Sequence, residues 1–262
     1  YVRTTPYAIA DASEREVEVE VCRKSSVCLE VSDDNGPVEN AEVLIERGGL
    51  EITTGTTDSD GVYESDIIQA GDYQVTIRKP GYYTAQKSLE IDGNVTNRVV
   101  LRAGSVSVDV TVIDPHFDSP RSVDDARVNL TGFATSRTGP DGRTVLGTPV
   151  NVRTTLQVDK KGYRGKSRDV RIGESDTNVT VEISREPSLT TEATNERIVT
   201  GERVPIVVTN AYGEPAPGVT ITLDGDTVGT TDTEGEFAAR INESGGHTLR
   251  ATDGGVRSNE VS

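Results

Sequence analysis

Two glycine turns, a constant distance apart, occur three times along this chain. The first turns end at Gly61, Gly142 and Gly235, and the second turns end at Gly81, Gly162 and Gly255. The distance within each copy is 20 residues, and successive copies are 81 and 93 residues apart. A repeat of this length predicts a tandem array of small domains, and 262 residues accommodate about three of them.

Between the turns, apolar and polar residues alternate over short runs, as in Val27–Val31, Val38–Ile45 and Gly71–Ile77. This period of two predicts half-buried strands, with Tyr63 in a core. We therefore predict an elongated, all-β protein of three tandem Ig-like, Greek-key β-sandwich domains. The expected units are an N-terminal extension and strand at 1–25 and domains at 26–103, 104–186 and 187–262.

Four motifs follow an opening strand in the first unit: D-D-N-G-P-V-E-N-A-E-V, T-D-S-D-G-V-Y, A-G-D-Y-Q-V-T-I and K-P-G-Y. In this order they resemble the carboxypeptidase regulatory-like (transthyretin-like) Ig-fold domain. The second unit resembles a degenerate copy, which keeps Ala126–Leu130, Pro140–Gly142 and Lys161–Tyr163 but lacks A-G-x-Y. The third unit, with an added leading strand at Glu202–Val208, is similar to invasin-type bacterial Ig-like domains. Such families imply stalks, spacers, adhesins or appended modules.

The charge of the chain is strongly acidic. There are 43 Asp and Glu residues against 6 Lys and 21 Arg, a net charge of −16, and Met and Trp are missing. This composition resembles that of haloarchaeal proteins, which work in molar salt, where the Debye length is about 3 Å. The alternative is an acidic protein without that adaptation. Both interpretations argue against a nucleic-acid partner. The sequence contains no run of 18 apolar residues, so we predict no membrane span in it.

The acidic turns suggest calcium, but their spacing fits a calcium loop poorly. With Gly61 at position six of an EF-hand, positions one and twelve would be Thr56 and Ile67, which carry no carboxylate. We interpret these segments as turns in which glycine takes a positive φ, with loose cation binding as the alternative. His116 has no visible partner, and His247 is expected at a sandwich position. We predict no catalytic, cofactor or metal residues, and no enzymatic activity.

Two kinds of covalent modification are expected. Cys22 and Cys28 lack the further ligands of a zinc site, so we predict a disulfide, with two reduced thiols as the alternative. N-x-S/T sequons make four asparagines candidates for glycosylation in an exported protein: Asn94, Asn129, Asn178 and Asn242.

The middle unit is neutral, with 12 acids and 12 bases, and lies between two acidic units. Its bases cluster at Lys160, Lys161, Arg164, Lys166, Arg168 and Arg171. They form either a solvated hairpin or a docking patch for an acidic surface, such as another copy of the chain. The alternating run Glu16–Val21 and the short run Ser258–Ser262 suggest open sheet edges that pair between chains. The alternatives are that residues 1–21 finish a preceding domain of a longer stalk or that they add to the first domain.

These features together predict a non-enzymatic, extracellular structural or adhesion protein of a haloarchaeal surface, as a filament, stalk or surface-layer component. One alternative is an appendage on the virion of a haloarchaeal virus, and another is an accessory binding module of a secreted hydrolase. The expected partners are other copies or related surface proteins, together with glycans. Because the chain begins at Tyr1, we expect a processed or partial product.

Overall fold

The computed structural model describes residues 24–195 and 197–262, which form strands and turns and contain no α-helix. The strands build three β-sandwiches in sequence order, each from two facing sheets. The predicted all-β fold of tandem sandwiches is therefore confirmed. We call residues 24–103 the first domain, 104–186 the second domain and 187–262 the third domain.

The first domain is organised around its opening strand. Its strands are β1 (Lys24–Asp33), β2 (Gly36–Pro37), β3 (Glu42–Arg47), β4 (Leu50–Thr56), β5 (Val62–Glu64), β6 (Ile68–Gln69), β7 (Gly71–Arg78), β8 (Ala85–Ile91) and β9 (Asn94–Val100). β1 pairs with β2, β5 and β6 in antiparallel fashion and with the closing strand β9 in parallel. The facing sheet has the order β4-β3-β7-β8.

The second domain repeats this topology. Its strands are β10 (Ser105–Asp114), β11 (Arg121–Ser122), β12 (Arg127–Leu130), β13 (Ala134–Arg137), β14 (Arg143–Pro149), β15 (Arg153–Asp159), β16 (Lys166–Arg171) and β17 (Thr177–Glu182). β10 takes the place of β1 and again pairs in parallel with the closing strand, β17. The facing sheet is β13-β12-β15-β16. The loss of A-G-x-Y thus leaves this sheet intact.

The third domain departs from the pattern in its first sheet. Its strands are β18 (Leu189–Ala193), β19 (Arg203–Asn210), β20 (Thr220–Leu223), β21 (Asp226–Thr230), β22 (Glu236–Arg240), β23 (Leu249–Asp253) and β24 (Val256–Arg257). The sheets are β18-β19-β22 and β21-β20-β23-β24. β19, which contains the segment predicted as an added strand, is the counterpart of β1. The added strand is β18, antiparallel to β19 on the side that β9 and β17 occupy in the other domains.

Each domain has its own core of Val, Ile and Leu, because alternate residues of each strand face the opposite sheet. In β1, Val27, Leu29 and Val31 are 0–2% exposed. Tyr63 and Tyr73 are buried among them, which confirms the prediction for Tyr63. Full burial of each large side chain contributes about 1.5–3 kcal/mol, so many aliphatic contacts replace the scarce aromatic ones.

Candidate functional site

A buried threonine stands four residues before the turn glycine in every domain, at Thr57, Thr138 and Thr231. The Thr57 hydroxyl donates to the carbonyl of Val38 at 2.6 Å and accepts from the N–H of Ala41 at 2.9 Å. The same two bonds recur at 2.7 and 2.9 Å in the second domain and at 2.6 and 2.9 Å in the third. The sequence interpretation missed these threonines, although their constant spacing was visible.

The acidic turns serve the backbone. Gly61 has φ of 73°, and a Cβ there would lie 2.3 Å from the carbonyl oxygen of Val31. One carboxylate oxygen of Asp58 accepts the N–H groups of Asp60 at 3.0 Å and Val62 at 2.8 Å. These contacts support the turn interpretation over the calcium one. Among the residues that the structure describes, no group of three or more His, Cys, Asp and Glu is arranged to hold a metal.

The first and second domains meet at a closed ring of three backbone hydrogen bonds. Gly81 donates to Val150 at 2.8 Å, Val150 donates to Gly104 at 3.1 Å, and Gly104 donates back to Gly81 at 3.0 Å. The Tyr83 side chain packs against the core of the second domain. A Cβ at residue 104 would lie 2.3 Å from the Tyr83 ring, so this contact requires glycine.

Side chains reinforce this first junction. Asn151 donates to the carbonyl of Tyr82 at 2.8 Å and to Glu174 at 2.7 Å, and Glu174 also accepts the N–H of Thr84 at 2.7 Å. Hydrogen bonds from Thr84 and Asn151 hold the pKa of Glu174 below its ordinary value. Within the first domain, next to this junction, the Tyr82 hydroxyl donates to Asp33 at 2.7 Å, which lowers the pKa of Asp33 and raises that of Tyr82.

The second and third domains meet through stacked rings. His116, in the loop after β10, stacks on Tyr212 with ring centroids 3.5 Å apart and planes 7° apart. Phe117 packs edge-on against both rings, and the Arg121 guanidinium lies 3.5 Å from the Phe117 centroid. The imidazole also contacts Glu214 at 2.9 Å. His116 therefore has partners in the third domain, which local sequence could not reveal.

Arg185 lies at the centre of this second junction. Its backbone N–H donates to the Tyr212 hydroxyl at 2.9 Å, and its guanidinium donates to the carbonyl of Ala211 at 2.9 Å. The Tyr212 hydroxyl donates in turn to the buried Asp114 at 3.2 Å. Burial is the main reason that the pKa of Tyr212 is raised. A hydrogen bond to Tyr163 raises the pKa of Arg185.

The six predicted interface bases occupy different environments. The Lys160 amine binds Asp124 at 2.8 Å within its own domain. Lys166 and Arg168 lie opposite the buried Val158 and Leu156 in the register of the outer strand β16, yet both residues are exposed to solvent. Charged side chains on an outer strand disfavour backbone pairing with another chain.

The bases at positions 161, 164 and 171 are likewise exposed to solvent. All five exposed bases, at positions 161, 164, 166, 168 and 171, remain docking candidates of this segment.

The four sequons also differ. Asn94, Asn178 and Asn242 are exposed, and the first two lie on closing strands. Asn129 is half-buried in β12, where its amide nitrogen donates to Gln157 at 3.0 Å. Its position is the least suited to a glycan.

The N-terminal predictions lie largely outside the described residues. These include Cys22, and therefore the predicted disulfide, and the strand Glu16–Val21. Cys28 is half-buried on β1, in register with Thr96 of β9. Burial and the neighbouring carboxylates of Glu64 and Glu30 raise the pKa of its thiol.

The last residues of the chain pair within the third domain. Val261 and Leu249 exchange two backbone hydrogen bonds, at 2.8 and 3.0 Å. The Asn259 side chain binds both the N–H and the carbonyl of Thr191 on β18, each at 2.9 Å. The outer side of β18 is thus partly covered, contrary to the expectation of an open acceptor at this end.

His247 lies beside the end of the third domain rather than in its core. Its Nδ1 contacts Asp224 at 2.6 Å, and this contact raises the pKa of the imidazole. The residue lines a cleft of about 380 Å³ that also includes Ile198, Ile241 and Val261.

Comparisons with known proteins support the expected resemblance of the first domain. Residues 27–103 match the family model of the carboxypeptidase regulatory-like domain. The match ends before the second domain, whose place in the family remains a prediction. A search of curated proteins gave no match. Within residues 24–195 and 197–262, no helix is long and apolar enough to cross a membrane.

Several solved structures resemble the chain weakly. The Bacillus anthracis TIE protein is 13% identical with a TM-score of 0.37, over 91% of this chain and 47% of that one. This chain thus spans about half the length of that protein. The minor pilin GBS52 of Streptococcus agalactiae is 11% identical with a TM-score of 0.34, over 63% and 97%. The shaft pilin SpaA of Lactobacillus rhamnosus GG is 10% identical with a TM-score of 0.28, over 63% and 98%. TM-scores this low carry no argument about function.

Proposed function

We propose that this protein is a non-enzymatic structural element of a halophilic archaeal surface, in which three sandwiches form a stiff spacer or stalk. The observation that carries the proposal is the construction of the two junctions. Flexible linkers rich in Gly and Ser let domains move independently. Here the four residues 101–104 separate β9 from β10 at the first junction, and hydrogen-bonded contacts fix the domain ends against each other.

The chemistry of the junctions suits molar salt. The first junction uses backbone hydrogen bonds and the packing of Tyr83 against the core of the second domain, and the second junction uses stacked rings. Neither depends mainly on distant charge, which salt screens within about 3 Å at 1 M. Dense surface carboxylates are tolerated under the same conditions, so the net charge of −16 and the short-range hydrogen bonds and ring contacts of the junctions support one environment.

An exported location is the second part of the proposal. It includes glycans on Asn94, Asn178 and Asn242 and a bond between Cys22 and Cys28. Mass spectrometry of protein from the source organism tests both modifications. Unmodified sequons and two free thiols in unreduced material would contradict this part, while the proposed stiffness would be unaffected.

Self-association is the third part. We propose that copies contact one another through the N-terminal run 16–21 and the five exposed bases between positions 161 and 171 of the middle domain. The test compares the full chain with a deletion of residues 1–21 and with Lys161→Glu/Arg164→Glu, by analytical ultracentrifugation in molar KCl. Lys160→Glu is the matched control, because that amine is bound within its own domain. Assembly that survives both changes would refute this part.

Electron microscopy of cells labelled with an antibody against residues 24–262 tests the main proposal. Label along filaments, stalks or an ordered surface layer is expected. Label on virus-like particles would favour the virion appendage instead. A soluble enzyme fraction that retains the label, with a catalytic domain in the same reading frame, would favour the hydrolase module and overturn the structural role.

A further inference from the structure

We propose that the first and second domains are built to bear tension along the chain, and that the third domain is the unit that yields first. The proposal concerns a mechanical property of the protein. It rests on the proposed stalk function only for the source of the tension.

In the first domain the entering and leaving strands are direct neighbours. Seven positions of β1, Ser26–Ser32, lie in parallel register with Asn94–Val100 of β9. Leu101 extends the pair by donating to the carbonyl of Ser32 at 2.8 Å. Because the strands are parallel, the chain enters at one end of the pair and leaves at the other. Tension between the domain ends therefore acts along the strands.

This direction of force loads the hydrogen bonds of the pair together. Sliding one strand past the other requires several bonds to break in one step, whereas opening a pair from one end breaks them in turn. β1 is also held on its other side by β5 and carries three buried core residues. Sliding therefore disrupts the core as well, which raises the barrier that governs forced unfolding.

The second domain has the same arrangement. Six positions of β10, Val108–Ile113, lie in parallel register with Thr177–Glu182 of β17. Ile183 extends the pair by donating to Ile113 at 2.9 Å, as Leu101 does in the first domain. β14 holds β10 from the other side over seven positions.

Within its described residues, the third domain lacks a parallel pair of entering and closing strands. β18 is antiparallel to β19, and the closing strand β24 lies in the other sheet, where two positions pair with β23. The Val261–Leu249 bridge adds one more position. The entering strand meets the closing segment through the side chains of Ser258 and Asn259. Within residues 187–262, only the two β24 positions and the Val261–Leu249 bridge resist tension that is applied at residue 262, so this segment should detach first when the chain is pulled there.

The first experiment pulls the full chain by its two ends in optical tweezers. Two engineered disulfides, called staples below, assign each unfolding event to a domain. Thr96→Cys pairs with the native Cys28 across β1 and β9, and Asp109→Cys/Asn178→Cys, with Cys28→Ser, staples β10 to β17. Cys22→Ser is present throughout. Each oxidised staple removes roughly 240 Å of extension from one event, at about 3.6 Å per residue. The event that neither staple shortens belongs to the third domain, and we expect it at the lowest force.

The second experiment changes the direction of force on the same contacts. In a Cys22→Ser/Cys28→Ser background, one handle is moved from the N-terminus to Asn35→Cys, in the exposed turn after β1. Force now opens the β1–β9 pair from one end. The first domain should unfold at a clearly lower force than with the terminal handle, with unchanged stability in solution.

Equal unfolding forces for the two handle positions would overturn the proposal, as would a third domain that yields last. Either result would leave the surface assignment standing. Conversely, a negative result from electron microscopy would leave the order of forces intact.

Discussion

The repeated buried threonine gives a sharp test of how each domain is held together. Thr57→Val keeps the side-chain shape and removes the hydroxyl that joins Val38 and Ala41. An unsatisfied buried polar group costs about 1–3 kcal/mol, so two of them cost about 2–6 kcal/mol. A domain of this size has a free energy of unfolding of roughly 4–12 kcal/mol. The substitution should therefore lower the melting temperature of the first domain by at least about 8 °C.

The measurement is hydrogen exchange with mass spectrometry over a denaturant series in molar salt, since it reads each domain of the full chain separately. Thr57→Ser retains the hydroxyl and should cost about 1 kcal/mol, mainly for the lost methyl group. Thr231→Val should destabilise the third domain in the same way. Thr227→Val, at an exposed position of β21, serves as its surface control.

Two outcomes would refute the reasoning. One is a decrease in the free energy of unfolding for Thr57→Val that does not exceed the decrease for Thr57→Ser. The other is an equal effect of Thr227→Val and Thr231→Val.

Three further predictions concern the turns and the first junction. Gly142→Ala should destabilise the second domain by about 2 kcal/mol or more, because φ is 73° and the new Cβ would lie 2.6 Å from a carbonyl oxygen. Gly147→Ala is the neutral control in the same exchange experiment, because a Cβ at position 147 would have no atom within 4 Å. Asp33 and Glu174 have lowered pKa values, so their stabilisation is present above the ordinary carboxyl pKa of about 4 and is lost as pH falls through the lower folded-state values. Because Glu174 joins the second domain to Thr84 of the first, X-ray scattering from pH 7 to pH 2 should detect loosening of the first junction on the acid side. Tyr83→Ala should increase protease cleavage at the first junction without unfolding either domain, because it removes the ring that packs on the core of the second domain. Unchanged cleavage would contradict this role of Tyr83.

Much of the fold was predictable because its signals are local. A period of two in Val27–Val31 reports a strand with one buried face, and glycine at a fixed offset reports a turn. The family motifs added the strand order of the first domain. The assignment of Glu202–Val208 failed because strand periodicity identifies a strand but not its neighbours. β18 has the weaker pattern, and its place beside β19 follows from packing.

The junction residues were less accessible to prediction. His116 and Tyr212 are 96 positions apart, and nothing near either residue indicates the other. Lys160, by contrast, was visible as part of a basic cluster, but its bond to Asp124 depends on the position of the turn between β11 and β12. Charge clustering in sequence reports composition, whereas the partner that each charged side chain finds depends on the tertiary packing.

The sequence by itself therefore determined the β-sandwich class, the number of repeats and the acidic surface, because strand period, turn glycines and charge act within a few residues. The tertiary structure decided how the domain ends meet and which strands run in parallel beside each other. Parallel pairing of β1 with β9 joins residues about 70 positions apart, and no local pattern encodes it. It arises when both sheets bury their apolar faces together, and the direction in which each domain resists tension is a consequence of that packing.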